Sequence, residues 1–290
     1  MYKTLIEPEQ LNAHLGDPDW AILDCRFDLA KPAWGEEAWA AGHIPNALYT
    51  HLDRDLSGAH TASTGRHPLP TVAALTGTFS RFGIDATVQV IAYDQGTGVY
   101  AARLWWLLRW LGHPRVAVLN GGFGAWERAR LPVSHAQPVR APRQFIAVPA
   151  TDMLTTSATV AAALAAGTLA SGQTLLVDAR SAARFAGENE TLDAVAGHIP
   201  GARNYPFALN NDPQGRFLPA TDLRRCWESA LRGRPATAVV AMCGSGVTAC
   251  QNLLALETAG LSGARLYAGS WSEWIRDPQR AVARGPDENR

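Results

Sequence analysis

The sequence predicts an α/β protein made of two tandem copies of one domain, each a mainly parallel sheet covered by helices on both faces. Three observations predict it. The stretch Ala41-Gly42-His43-Ile44-Pro45-Asn46-Ala47 returns 155 residues later as Ala196-Gly197-His198-Ile199-Pro200-Gly201-Ala202, with one change. Leu23-Asp24-Cys25-Arg26 is answered by Val177-Asp178-Ala179-Arg180, and Trp126 by Trp274, at nearly the same offset. Each half also alternates short β-branched runs with helical ones, as chains do when a parallel sheet is buried on both sides. A repeat this long is a whole domain, because solenoid units recur every ~20–50 residues.

In chain order, residues 1–135 form the first domain, with strands expected at Ala21–Leu23, Val88–Tyr93 and Val116–Leu119. The segment Tyr100–Leu111 reads as a helix with Leu104, Leu107, Leu108 and Leu111 on one stripe. Residues 136–150 read as an extended linker, since Pro138, Pro142 and Pro149 fix φ and remove backbone donors. The second domain spans 151–287. It opens with a stretch, Met153–Val177, that has no charged residue and is long enough on paper for a bilayer. Its Thr, Ser and Gly content and Gln173 instead predict a helix over Ser157–Ala166, a turn at Gly167 and a strand at Leu175–Asp178. Further strands are expected at Ala238–Met242 and Ala264–Tyr267. Between them a helix over Val247–Leu254 places Val247, Cys250, Leu253 and Leu254 on one stripe.

Composition excludes several classes of function. The chain is 47% hydrophobic and 18% charged with a formal net charge of zero, so nothing draws it to nucleic acid or an anionic membrane. Glu7 and Glu9 argue against a signal or transit peptide. Four scattered cysteines without a C-x-x-C pair suggest neither a disulfide framework nor zinc, and a reducing cytoplasm is the expected location.

The copies differ where chemistry is expected. Tyr93-Asp94-Gln95-Gly96 in the first corresponds to Met242-Cys243-Gly244-Ser245-Gly246 in the second. Cys243 falls where a buried strand ends and a helix begins, the usual place for ligands in open α/β sheets. Gly244 and Gly246 let successive N–H groups turn inward around an anion, and the following helix adds the positive end of its dipole. A cysteine there is expected to be substantially thiolate, with Ser245 able to aim a hydroxyl at the sulfur or a substrate. Cys25, Cys226 and Cys250 read as inert buried residues. The repeat serves as an internal control. His43 and His198 occur in both copies, so they are expected to hold the turn; Asp24, Asp178, Arg26 and Arg180 are scaffold, and Trp126 and Trp274 are core. Arg184 has no such counterpart, because the ungapped equivalent is Ala30.

With Gly121-Gly122-Phe123-Gly124-Ala125-Trp126 and Gly269-Ser270-Trp271-Ser272-Glu273-Trp274, these motifs resemble the tandem-domain rhodanese, or sulfurtransferase, family over essentially the whole chain. Cys-Gly-Ser-Gly-Val-Thr is similar to the loop of its mercaptopyruvate branch. The resemblance implies a catalytic second domain and a first domain that has lost its cysteine, matching Asp94. It implies Cys243 as nucleophile assisted by Ser245, and donor binding by Gly244, Gly246, Val247, Thr248 and Arg184. From the first half it implies His67 and Arg66, with Asp53 or Asp55 as the accompanying acid. Mercaptopyruvate enzymes carry a second arginine seven residues before the turn histidine, where this chain has Thr191. The reaction implied moves sulfur from a small anionic donor through a Cys243 persulfide to cyanide, a thiol or a thioredoxin-like protein, with no metal or organic cofactor. Three alternatives stand beside it. Thiosulfate is the donor of the sister branch. A cysteine phosphatase needs an arginine six residues after the thiol, where Ala249 stands. A non-enzymatic interaction module is disfavoured by the intact thiol loop.

Overall fold

The structure, a computed structural model, describes residues 1–287 and divides into two compact units. One comprises Met1–Gly58, Leu69–Ala150 and Asn211–Phe217; the other comprises Ala59–Pro68, Thr151–Asn210 and the chain from Leu218. Each half of the sequence therefore contributes a short segment to the unit built mainly by the other half.

The first unit holds β1 (Leu5–Ile6), β2 (Trp20–Asp24), β3 (Ala47–Tyr49), β4 (Gln89–Tyr93) and β5 (Val116–Leu119), in the order β1-β5-β4-β2-β3. The second holds β6 (Leu154–Thr155), β7 (Leu175–Asp178), β8 (Arg203–Asn204), β9 (Val239–Met242) and β10 (Arg265–Tyr267), in the order β6-β10-β9-β7-β8. The two orders are equivalent, and every pairing is parallel. The central strands β4, β5, β7 and β9 are buried at every residue, as parallel strands covered on both faces must be. The four strands without a sequence forecast are β1, β3, β6 and β8, which are too short to show a period.

The charge-free stretch of the second half forms short separate elements. Thr156 caps the helix Ser157–Ala165 by accepting from the Thr159 N–H, Gly167 turns the chain at φ +70°, and β7 follows. Among the described residues no helix is long and apolar enough to cross a membrane. The helices after β4 and β9, Val99–Trp110 and Ala249–Thr258, are buried along most of their length, a correction to the single apolar stripe expected of each. Against the second of these helices the buried amides pair with one another: Asn210 Nδ2 donates to Gln251 Oε1 (2.8 Å) and Asn252 Oδ1 (2.7 Å), and Asn210 Oδ1 accepts from Trp227 Nε1 (3.0 Å). The second helix begins at Ala249, so Val247 and Thr248 remain part of the preceding turn.

The repeated motifs build the same joints twice. The Arg26 guanidinium is bidentate on Asp24 and donates to Gly42 O (2.7 Å); Arg180 does the same with Asp178 and Gly197 O (2.8 Å). His43 is held by the carbonyls of Trp39 and Ala136, and His198 by that of Phe185. The Trp126 and Trp274 indoles are buried and donate to Pro132 O and Ala281 O. The proline-rich stretch is extended and tied to the first unit, with Arg143, Val148 and Ala150 N–H groups donating to Ser80, Leu111 and Trp110 carbonyls.

Candidate active site

Strand β9 delivers Cys243 at its carboxyl end, 2% exposed. The turn after β10 locks its backbone: the Cys243 N–H donates to Ser270 Oγ (3.0 Å), while the Cys243 and Gly244 carbonyls accept from the Trp271 (3.0 Å) and Ser272 (2.8 Å) N–H groups. The Gly246 N–H then donates to Cys243 Sγ at 3.1 Å. That contact requires glycine, since Gly246 sits at φ +78° and a Cβ there would lie 2.2 Å from Ala268 O. The contact sets a backbone hydrogen-bond donor directly on the sulfur.

Ser245, also buried, is joined to His67 Nδ1 by a 2.7 Å hydrogen bond. His67 belongs to Ala59–Pro68, the segment that the first half of the sequence contributes to this unit. Backbone packing seats the segment: the Arg66 N–H donates to Ser272 Oγ (3.0 Å), and a Cβ on Gly65 would meet Gly269 O at 2.6 Å.

Two guanidinium groups converge on the loop. A Cβ on Gly244 would lie 2.8 Å from Arg66 Nη2 and 3.5 Å from Arg184 Nη2. Arg184 stands on the short helix Ala182–Ala186, capped by Ser181 and stopped by Gly187 at φ +79°. Its Nε and Nη2 clasp Glu190, and Nη2 also donates to Asp193 Oδ2 (3.1 Å); the other oxygen of Asp193 accepts from Arg66 Nη1. Both carboxylates are buried. Burial pushes Glu190 up, but hydrogen bonds from Arg184 and the Leu192 N–H hold it below the ordinary carboxylate range. Burial dominates at Asp193 and lifts it above that range, against the pull of Arg66.

Of the residues singled out from the sequence, Cys243, Gly244, Ser245, Gly246, Arg184, Arg66 and His67 are brought together. Val247 is buried in the turn, and Thr248 precedes the first residue of the helix. Asp53 lies in the first unit and is exposed, its N–H on His51 Nδ1 (3.1 Å); the Asp55 carboxylate accepts from the His51 N–H and from Arg81. Thr191 is exposed. Glu190 and Asp193 were missed, and the available signal was an acidic residue six and nine positions after Arg184 in a segment bound to fold back. The four cysteines are unoxidised thiols; Cys25 is buried, which pushes its thiol up, and the Cys250 thiol donates to Gly246 O (3.3 Å).

Residues 7–129 and 160–277 each match the model of a rhodanese-like domain. The chain belongs to the rhodanese-like family. Over 283 residues the chain is 47% identical to a probable 3-mercaptopyruvate sulfurtransferase of Pseudomonas aeruginosa, covering 97% of this chain and 98% of that protein. It is 40% identical to a putative thiosulfate sulfurtransferase of Mycobacterium tuberculosis, covering 93% of this chain and 92% of the relative. In structure it is similar to the 3-mercaptopyruvate sulfurtransferase of Leishmania major, with a TM-score of 0.83 and 30% identity over 95% of this chain and 76% of that one. The protein is a sulfurtransferase, an enzyme that carries sulfur from a donor to a thiol acceptor.

Proposed function

We propose that Cys243 is the nucleophile and that 3-mercaptopyruvate is the preferred donor. The observation that carries this reading is one loop in which Gly246 N–H meets Cys243 Sγ, Ser245 is bonded to His67, and Arg66 and Arg184 flank Gly244. The donor carboxylate docks on the two arginines, which match planar anions. The Cys243 thiolate attacks the donor sulfur, forming an S–S bond as the C–S bond breaks. The electron pair leaves on the pyruvate enolate, and Ser245 delivers a proton to it while His67 restores the hydroxyl. A thiolate acceptor or cyanide then attacks the outer sulfur of the persulfide and releases the Cys243 thiolate. A protein dithiol of the thioredoxin type can serve as acceptor. Four unoxidised thiols suit a reducing cytoplasm, and the chemistry asks for no metal or organic cofactor.

Thiosulfate is the second reading, favoured by the arginine pair and by the name of the mycobacterial relative. The neutral Gly244-Ser245 pair puts a proton source where an enolate needs one and itself adds no cationic side chain for a departing sulfite beyond Arg66 and Arg184. Steady-state turnover of both donors with cyanide as common acceptor tests the choice. Mercaptopyruvate should be preferred by at least roughly tenfold in kcat/KM, about 1.4 kcal/mol of transition-state binding. Equal or better use of thiosulfate overturns the donor assignment.

A further inference from the structure

We propose that Asp193 sets the charge a donor has to carry: its buried carboxylate, one oxygen on Arg66 and the other on Arg184, admits a monoanionic head group and works against a dianion. The inference rests on the reading that the donor anion docks on these two arginines beside Cys243. Two positive charges stand at the mouth of the loop, and two buried carboxylates, Glu190 and Asp193, already neutralise them. Arg180 is likewise matched by Asp178. The arginines nevertheless keep donors in hand. Arg66 Nη2 and Arg184 Nη1 donate no hydrogen bond among the described residues, and both lie within 3.6 Å of where a side chain on Gly244 would begin. The mouth therefore offers hydrogen bonds without net charge. A carboxylate bearing one charge takes those bonds, whereas an anion of charge two also meets the repulsion of carboxylates that water does not screen.

Glu190 and Asp193 are not equivalent. Glu190 is tied to the scaffold, accepting the Leu192 and Asp193 N–H groups (2.9 and 3.1 Å) and facing Arg180 at 3.4 Å. Among the described residues the Asp193 carboxylate makes hydrogen bonds to the two arginines of the mouth and to nothing else. Removing the Asp193 charge should therefore alter specificity while leaving the loop in place.

The test is Asp193→Asn, which keeps the shape and one acceptor oxygen but raises the charge of the mouth by one. The ratio of kcat/KM for thiosulfate to that for mercaptopyruvate should rise at least roughly tenfold, expressed mainly in KM. Asp193→Glu, which keeps the charge, should stay near the wild-type ratio. Asp193→Ser removes the charge with a smaller side chain and replaces the Asn variant if melting shows that one does not fold. A second readout is independent of turnover: protection of Cys243 from iodoacetamide by sulfate or by pyruvate. Loss of the Asp193 charge should lower the half-protecting sulfate concentration several-fold more than that of pyruvate. A donor ratio and a protection ratio that both stay at wild-type values overturn the proposal. A wild type that prefers thiosulfate, with a ratio that still moves on Asp193→Asn, overturns the donor assignment and leaves the role of Asp193 standing.

Discussion

Strands β4 and β9 occupy the same place in their sheets and end in turns that share a backbone plan but hold different atoms. Gly98 and Gly246, each just before a valine, have φ of +79° and +78°. The Gly98 N–H donates to Asp94 Oδ1 at 3.0 Å and the Gly246 N–H to Cys243 Sγ at 3.1 Å. The carbonyl of Asp94 accepts from the Phe123 N–H as that of Cys243 does from Trp271. The first turn is one residue longer, and the Asp94 carboxylate also gathers the N–H groups of Gly96 (2.9 Å) and Tyr100 (2.9 Å). The comparison teaches that the anion cradle belongs to the fold. Where the chain supplies its own carboxylate, the cradle is spent on structure; where it supplies sulfur, the cradle aims an N–H at Cys243 Sγ.

Four substitutions break or sharpen this comparison. The largest effect is expected from Cys243→Ser, which should lower sulfur transfer by at least about a thousandfold with the near-ultraviolet circular dichroism unchanged. In the wild type, mass spectrometry after donor treatment should find one added sulfur atom on the peptide bearing Cys243. Transfer retained by the variant would show that the thiol copy is not the working one.

Next come the matched glycines. Alanine at either position is forced into the left-handed region at a cost of about 1–2 kcal/mol, before the clash with Ala268 O at Gly246 or with the Phe217 ring, 2.9 Å away, at Gly98. Both variants should melt at lower temperature. Only Gly246→Ala should also reduce turnover per folded molecule, by tens of fold, because only there does the N–H serve sulfur. Equal turnover losses in the two variants would contradict the division of labour. The smallest effect on transfer belongs to Asp94→Asn. It should leave kcat/KM within a few-fold of wild type while costing about 1–3 kcal/mol in chemical denaturation, since a charged acceptor for several N–H groups is weakened. A loss of orders of magnitude would place the Asp94 turn in the chemistry.

Much of this molecule was written locally. The doubled Gly-His-Ile-Pro turn announces two equivalent sheets. Runs such as Val116–Leu119 mark strands buried on both faces, and the placing of Cys243 between a buried strand and glycines singles it out. Periodicity, turn chemistry and internal repetition are properties of neighbouring residues and survive in a linear string. Tertiary structure alone decided which distant residues share the loop. His67 meets Ser245 across 178 positions, and Arg66 meets Asp193 across 127. The string points to Arg66 and His67 only through the family resemblance of their segment, and nothing in it says that Asp193 and not Thr191 turns inward. Ion pairing follows proximity and burial, so it is set only after the backbone has chosen which segments touch.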